Sequence, residues 1–495
     1  MRTKIVAVAA LIALALATAT LHAGQAPAGQ ASQSPAVDAR IARVEGGLLP
    51  GIVVAGAPPA AMRLADRMAF YKTPGVSVAV INDGRIEWAR GYGVTEAGGN
   101  TPVTPRTRFQ AASISKPIAA LAAMRLVEKG RLALDQPVNA RLVSWKVPDN
   151  SFTVEQAVTL RRLLSHTAGL TVSGFPGYAA GTTVPTLTQV LDGVKPANTE
   201  AIRVNVLPGS IWRYAGGGYT VAQQLMMDVT GKTFPVLMSE LVLGPIAMTD
   251  STYEQPLPAA LQREAASGHR SSGQVLPGRY HTYPEMAAAG LWTTPTDLAK
   301  FALELQRALT GSSPVITAAG AREMVTVQKD GYGLGLSMSG SGPAERFGHG
   351  GSNAGFKCQM TAFMSGGKGV VIMTNGDQGG RLASEIVRAV AREYGWGAFV
   401  PRERRVMQVE PRLLAVLEGR YELTPAKTLT VRLEDGKLFI IDGDQRVELY
   451  AESDSLFFDL VEENTIVFLK DATGAVTSML INGTLSGRRL PSEKK

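Results

Sequence analysis

The sequence predicts an α+β fold: an antiparallel sheet flanked by helices and carrying a helical insertion, followed by a small C-terminal β-barrel or sandwich. Three observations predict it. A hairpin pattern near residue 80 opens a large domain, and strand and helix patterns between residues 348 and 394 close it. An apolar helical run after residue 113 leads into a mixed helical and loop-rich middle. Beyond about residue 405 the texture changes to short alternating segments separated by turns.

The elements follow in chain order. Residues 60–71 read as a short helix with Met62, Leu64, Met68 and Phe70 among its apolar positions. After Thr73-Pro74-Gly75, Val76, Val78 and Val80 alternate with smaller residues, Asp83-Gly84 gives a two-residue turn, and Ile86, Trp88 and Tyr92 form the returning strand. From Ser113 the pattern turns helical until Gly130 stops it. Residues 160–301 mix helices with long Gly/Pro/Thr loops. Strand character returns at 348–360 and 369–373, and a helix at 381–394 ends the domain. In the C-terminal region, 429–433, 437–441, 447–450, 455–460, 465–469 and 476–481 alternate in strand fashion. That region holds no cluster of His, Asp or Cys and is assigned no catalysis. The domain reading is a signal peptide at 1–23, a flexible lead-in at 24–54, the main domain at 55–400 and the β domain at 405–491.

The chain start explains the first of these boundaries. Arg2 and Lys4 precede an apolar run, small residues follow near Ala23 and Ala26, and a Pro/Gln/Ser-rich stretch comes next. The run is short for a membrane span, so the expectation is export to the periplasm or medium without a stable membrane anchor. Across 495 residues, 45% hydrophobic and 19% charged content is that of an ordinary folded protein. The formal charge of +8 is scattered rather than gathered into runs with interleaved aromatics, which argues against nucleic acid as a partner. A single cysteine, Cys358, excludes an internal disulfide and reads as a small buried hydrophobe within a strand. No metal-ligand spacing and no phosphate-cradling loop is present, so no cofactor or metal is called for.

The chemistry begins at Ser113-Ile114-Ser115-Lys116. Positions three apart share a helix face, so the Ser113 hydroxyl and the Lys116 amine can meet. A free lysine near pKa 10.4 is a poor base at neutral pH, and burial or a nearby cation corrects this. The same tetrad at Ser365 with Lys368 and at Ser492 with Lys495 sits in a Gly-Gly turn and a charged tail. Only the first opens an apolar helix. Pro117 is tolerated only in a first helical turn, which places Ser113 at the helix N-terminus, where unpaired amides favour a developing oxyanion.

Beyond that tetrad, Thr73–Val80, Phe109–Lys116, Leu163–Leu170, Trp212–Gly216, Ala289–Thr294, Gly348–Asn353 and Thr374–Gly376 occur in the order found in one family. Over roughly residues 73–396 the chain resembles the penicillin-recognising serine hydrolases: class C β-lactamases, D-aminopeptidases, family VIII esterases and D-alanyl-D-alanine carboxypeptidases. The resemblance implies a β-lactamase/transpeptidase-like domain. It also implies that Ser113 is the nucleophile, Lys116 its partner and Tyr214 the residue that exchanges the proton with the leaving group. The backbone amides of Ser113 and Ser352 then form the oxyanion hole, and His349-Gly350-Gly351 is the strand along the cleft that binds substrate.

Two departures carry information. Gly216 stands where many family members have an asparagine that holds the substrate amide, which leaves the orientation of Lys116 open. His349 stands where β-lactamases and carboxypeptidases usually carry lysine, giving a weaker, pH-dependent anchor for a substrate carboxylate. Both shift the expectation toward small esters or amides, with a β-lactamase or a D-amino-acid peptidase or carboxypeptidase as the alternative. A slow acyl-trapping sensor, or a dead-site scaffold whose β domain does the work, are readings of another class. Glu285, with His281 and Tyr283, reads equally as cleft rim or solvated loop. His166 reads as a structural hydrogen-bonder, and Trp212 and Trp292 as packing residues.

Overall fold

Alternating valines make the centre of the main sheet. In a computed structural model that describes residues 34–57, 61–425, 427–443 and 445–491, the strand β1 (Gly75–Asn82) is buried on both faces. Val76, Val78 and Val80 enter one core, while Ala79 and Ile81 enter the other, as the two-residue period of a strand requires. Asp83-Gly84 turns the chain into β2 (Arg85–Gly93). The sheet is completed by β3 (Ser337–Ser339), β4 (Arg346–Asn353), β5 (Phe356–Phe363) and β6 (Gly369–Thr374). Its order is β2-β1-β6-β5-β4-β3, antiparallel throughout.

Helices cover both faces. On one side lie α1 (Pro35–Glu45), α2 (Leu64–Phe70) and the late helix Gly379–Glu393, whose Leu382, Ile386 and Val390 share one core with the valines of β1. On the other lie Ser115–Glu128, Gly216–Thr230 and Pro295–Leu309, within the larger core. That architecture is the β-lactamase/transpeptidase-like fold expected. The predicted signal peptide, 1–23, lies outside the described residues, as do residues 24–33.

The flexible lead-in is corrected over its described part. Ile41, Val44, Leu48, Leu49 and Ile52 are buried, and residues 52–54 pair in parallel with 402–404. An amphipathic turn pattern hidden in an Ala-, Arg- and Gly-rich stretch supplies this packing. Arg67 on α2 then grips the buried Glu385 through two hydrogen bonds of 2.6 and 2.9 Å, and the Tyr71 hydroxyl adds a third at 2.8 Å. Glu385 is only 2% exposed. Arg67→Ala strands that carboxylate, and we expect a loss of about 3 kcal/mol, read as a fall in the midpoint of thermal or urea unfolding.

The C-terminal region is a barrel, which settles the choice between barrel and sandwich. Eight antiparallel strands close on themselves between Gly419 and Arg489. The sequence pattern located six of them. The first, Gly419–Thr424, and the last, Leu485–Arg489, are the pair whose contact closes the barrel. Among the described residues no helix is long and apolar enough to cross a membrane.

Candidate active site

Ser113 lies in a short 3-10 turn, Ala112–Ile114, that runs directly into the helix Ser115–Glu128. Pro117 therefore occupies the first helical turn, where its missing amide costs nothing. Ala112 holds a left-handed backbone at φ 50°, a conformation that stores strain in a residue with a Cβ. Ser115 stabilises it: its hydroxyl donates to the Ala112 carbonyl at 2.6 Å and accepts from the Leu291 amide at 3.0 Å. The turn that carries Ser113 is thus fixed from within its own helix and from Leu291, just ahead of the strand Trp292–Thr293.

Lys116 is buried, and its Nζ donates to Ser113 Oγ at 2.9 Å and to the Ala288 carbonyl at 2.8 Å. The orientation left open by Gly216 is therefore supplied by a backbone carbonyl. Burial lowers the Lys116 pKa to about 7, because a charged ammonium is poorly solvated there. The amine also lies 5.0 Å from the centroid of the Tyr214 ring. Burial pushes the Tyr214 phenol up to about 12, while a hydrogen bond with Ser113 pulls the other way. Both partners of Ser113 are thus uncharged over a wide range above neutrality. At rest the Tyr214 side chain is therefore a neutral phenol rather than a phenolate.

The strand β4 borders the site. Its far edge is paired to β3 only over residues 346–348, leaving 349–353 open. Asn353 and Phe356 close a two-residue hairpin loop, so the ladder alternation turns the amides of Gly350 and Ser352 toward that open edge. Gly350 is exposed. At Gly351 a Cβ would lie 2.3 Å from the Ala111 carbonyl, so glycine is required there by contact with the segment that leads into Ser113.

Three of the predicted substrate contacts are corrected. His349 is buried, with Nδ1 donating to the Gly350 carbonyl at 2.5 Å and Nε2 accepting from the Tyr332 hydroxyl at 3.0 Å. Burial, then the neighbouring Lys116, lower its pKa to about 3, so it presents no cation to a substrate carboxylate at neutral pH. Gly216 is buried as the first residue of its helix, and a side chain there would strike the Phe175 ring at 2.9 Å. Phe175 fills the place an amide would need. Glu285 does not rim the cleft: it is 0% exposed, and neither carboxyl oxygen finds a hydrogen-bond partner among the described residues beyond a weak pull from its own amide.

Burial raises the Glu285 pKa to about 8. Its folded pKa lies above the unfolded value of about 4.3, so its favourable contribution is whole below that value and is lost as pH rises toward 8. Glu285→Gln removes this linkage. Relative to the variant, the parent chain should lose up to ~4 kcal/mol of stability between pH 4 and pH 8, measured by unfolding across that range.

His166 is buried with Nδ1 accepting from the Ala215 amide at 3.1 Å, and its ring lies 4.2 Å from that of Tyr214. It holds the Tyr214 segment in place, the structural role its sequence context suggested. Trp292 is buried in the core and Cys358 is a buried thiol that burial raises to about 12. Tyr332 and Ala288 were missed. A backbone carbonyl carries no sequence signal, and Tyr332 sits in a Gly-rich loop with no motif of its own. Among the described residues no group of three or more His, Cys, Asp or Glu could hold a metal ion.

The family model described as Beta-lactamase matches residues 61–393. Esterase EstB of Burkholderia gladioli is 29% identical over 302 residues, 54% of this chain and 73% of the esterase. The octameric penicillin-binding protein homologue of Pyrococcus abyssi superimposes with a TM-score of 0.59 at 21% identity, covering 86% of this chain and 98% of that one. D-amino acid amidase of Ochrobactrum anthropi SV3 gives a TM-score of 0.56 at 20% identity, covering 72% and 99%.

Proposed function

Because this chain belongs to the beta-lactamase family and is a serine hydrolase, we propose that it is exported and hydrolyses small neutral esters or amides through an acyl-serine intermediate on Ser113. The observation that carries the reading is the 2.9 Å contact between the buried Lys116 amine and the Ser113 hydroxyl. A neutral amine at that distance accepts the serine proton as Oγ attacks the carbonyl. The amides of Ser113 and Ser352 receive the oxyanion. Once protonated, Lys116 is a cation beside the Tyr214 ring, which lowers the phenol's pKa and favours proton donation to the leaving group. Water then attacks the acyl-serine by the same route in reverse.

The preference for neutral substrates rests on His349. Its two ring nitrogens are spent on Gly350 and Tyr332. Arg213, the nearest guanidinium in sequence to Tyr214, is held by the carbonyls of Gly169 and Leu170. Neither His349 nor Arg213 is then free to act as counter-ion to a substrate carboxylate. EstB is named an esterase, which agrees with this choice.

The test is a panel of short p-nitrophenyl esters, D-alanine p-nitroanilide and nitrocefin, with intact-mass spectra taken during turnover. Dominant ester hydrolysis with a transient acyl adduct is expected. Dominant nitrocefin turnover would refute the neutral-substrate reading, and a stable stoichiometric adduct would make the protein an acyl trap.

A further inference from the structure

Three stretches far apart in sequence meet at one buried amide. Asn353 ends β4, directly after Ser352, and is only 4% exposed. Its Nδ2 donates to Gln110 Oε1 at 2.9 Å and to the Ala289 carbonyl at 3.1 Å. Gln110 is buried in the strand Phe109–Gln110, three residues before Ser113. Ala289 follows Ala288, whose carbonyl holds the Lys116 amine. The cleft strand, the lead-in to the nucleophile and the support of the base are therefore joined through a single side chain.

The surroundings fix which way that amide points. The Ala289 carbonyl can only accept, and Gln110 has its own Nε2 committed to the His281 carbonyl at 2.7 Å. Both therefore call for a donor, and the nitrogen of Asn353 is the atom that faces them. An aspartate of the same shape would offer no donor there and would add a charge. Other contacts brace the corner: Cys358 Sγ donates to the Gln110 carbonyl at 3.2 Å, and the Ala111 amide to the Leu291 carbonyl at 2.8 Å. Neither reaches the helix Met286–Ala289. Gln223 holds the front of that helix, accepting from the Ala287 amide at 2.9 Å and donating to the Pro284 carbonyl at 3.1 Å. Asn353 holds its end.

Oxyanion stabilisation depends on donors that are already in place when charge develops. The amides of Ser113 and Ser352 belong to different elements, so their spacing is set by whatever joins those elements. A satisfied buried amide restricts direction as well as distance, which apolar packing does not. We propose that Asn353 is a positioning residue for the oxyanion hole, fixing the Ser352 amide against Ser113 and the Lys116 support through Gln110 and Ala289. It acts through those neighbours rather than on the substrate. The inference rests on the acyl-serine reading given above.

The test is steady-state kinetics, with active sites counted by complete fluorophosphonate labelling of Ser113 in intact-mass spectra, so that a mere loss of folded protein leaves the rates unchanged. Asn353→Ala should lower kcat for p-nitrophenyl acetate by about 10²-fold. The hole serves acylation and deacylation alike, so KM should stay within about twofold. Phenylboronic acid, whose tetrahedral serine adduct places an oxygen in the hole, should inhibit the variant more weakly by about the same factor as kcat falls. Asn353→Asp should lose at least as much. Gln110→Met cuts one of the two links and should cost about tenfold in kcat, and it decides the matter if Asn353→Ala does not fold. A kcat change under about threefold in the deciding variant, parental kcat in Asn353→Asp, or a loss confined to KM with boronate inhibition unchanged would overturn the proposal. A parent chain that forms no acyl adduct on Ser113 would instead overturn the underlying reading, and the mass spectrum shows this before any variant is made.

Discussion

Ser113→Ala is expected to lower ester turnover by about 10⁶-fold. The size follows from what is lost. Without Oγ there is no covalent step, and the buried Lys116 amine is left with only the Ala288 carbonyl as partner. The oxyanion amides and the cleft survive the change, so a small residual rate over water can persist, as binding and electrostatic stabilisation alone provide. Steady-state hydrolysis of p-nitrophenyl acetate measures the loss, and the acyl adduct should vanish from the mass spectrum at the same time. Turnover that survived this substitution would place the nucleophile elsewhere and dismantle the catalytic account.

How much of this was legible beforehand divides along a physical line. Alternation and turn chemistry are local, so the valines of β1, the Asp83-Gly84 turn and six barrel strands could be read directly. The pair of strands that closes the barrel could not, because closure is a long-range pairing between Tyr421 and Arg489 with no local mark. The nucleophile end of the site was legible because Ser113, Lys116 and Pro117 lie within one helical turn. The substrate end was not. His349 looked like an anchor by position, yet its behaviour is set by Tyr332, seventeen residues earlier in sequence and brought in by a different strand connection. Glu285 looked like a surface charge because acidic residues almost always are. Its burial beside a helix that carries the Lys116 carbonyl partner is a tertiary fact. α1 was missed for a related reason: a helix with few large residues and several arginines reads as solvated until its partner helix, Gly379–Glu393, is in view.

Lys116→Met replaces the amine by an unbranched apolar side chain one atom shorter and so removes the base, and turnover should fall by about 10³- to 10⁴-fold. The companion signature is in the pH profile. Only the uncharged amine accepts the Ser113 proton, so kcat/KM of the parent chain should rise with pH, bend near 7 and stay level above it. His349 is already neutral above about 3 and Tyr214 remains a phenol until about 12, so neither produces that bend. Glu285 titrates near 8, and the Glu285→Gln variant should retain the bend at 7, which separates the two groups. In Lys116→Met the rise through 7 should disappear. The double variant with Ser113→Ala should be no slower than Ser113→Ala alone, since a base with no nucleophile to activate contributes nothing. A Lys116→Met enzyme that kept both its rate and its dependence on pH would show that the short contact at the helix mouth is packing, with the proton travelling by another route.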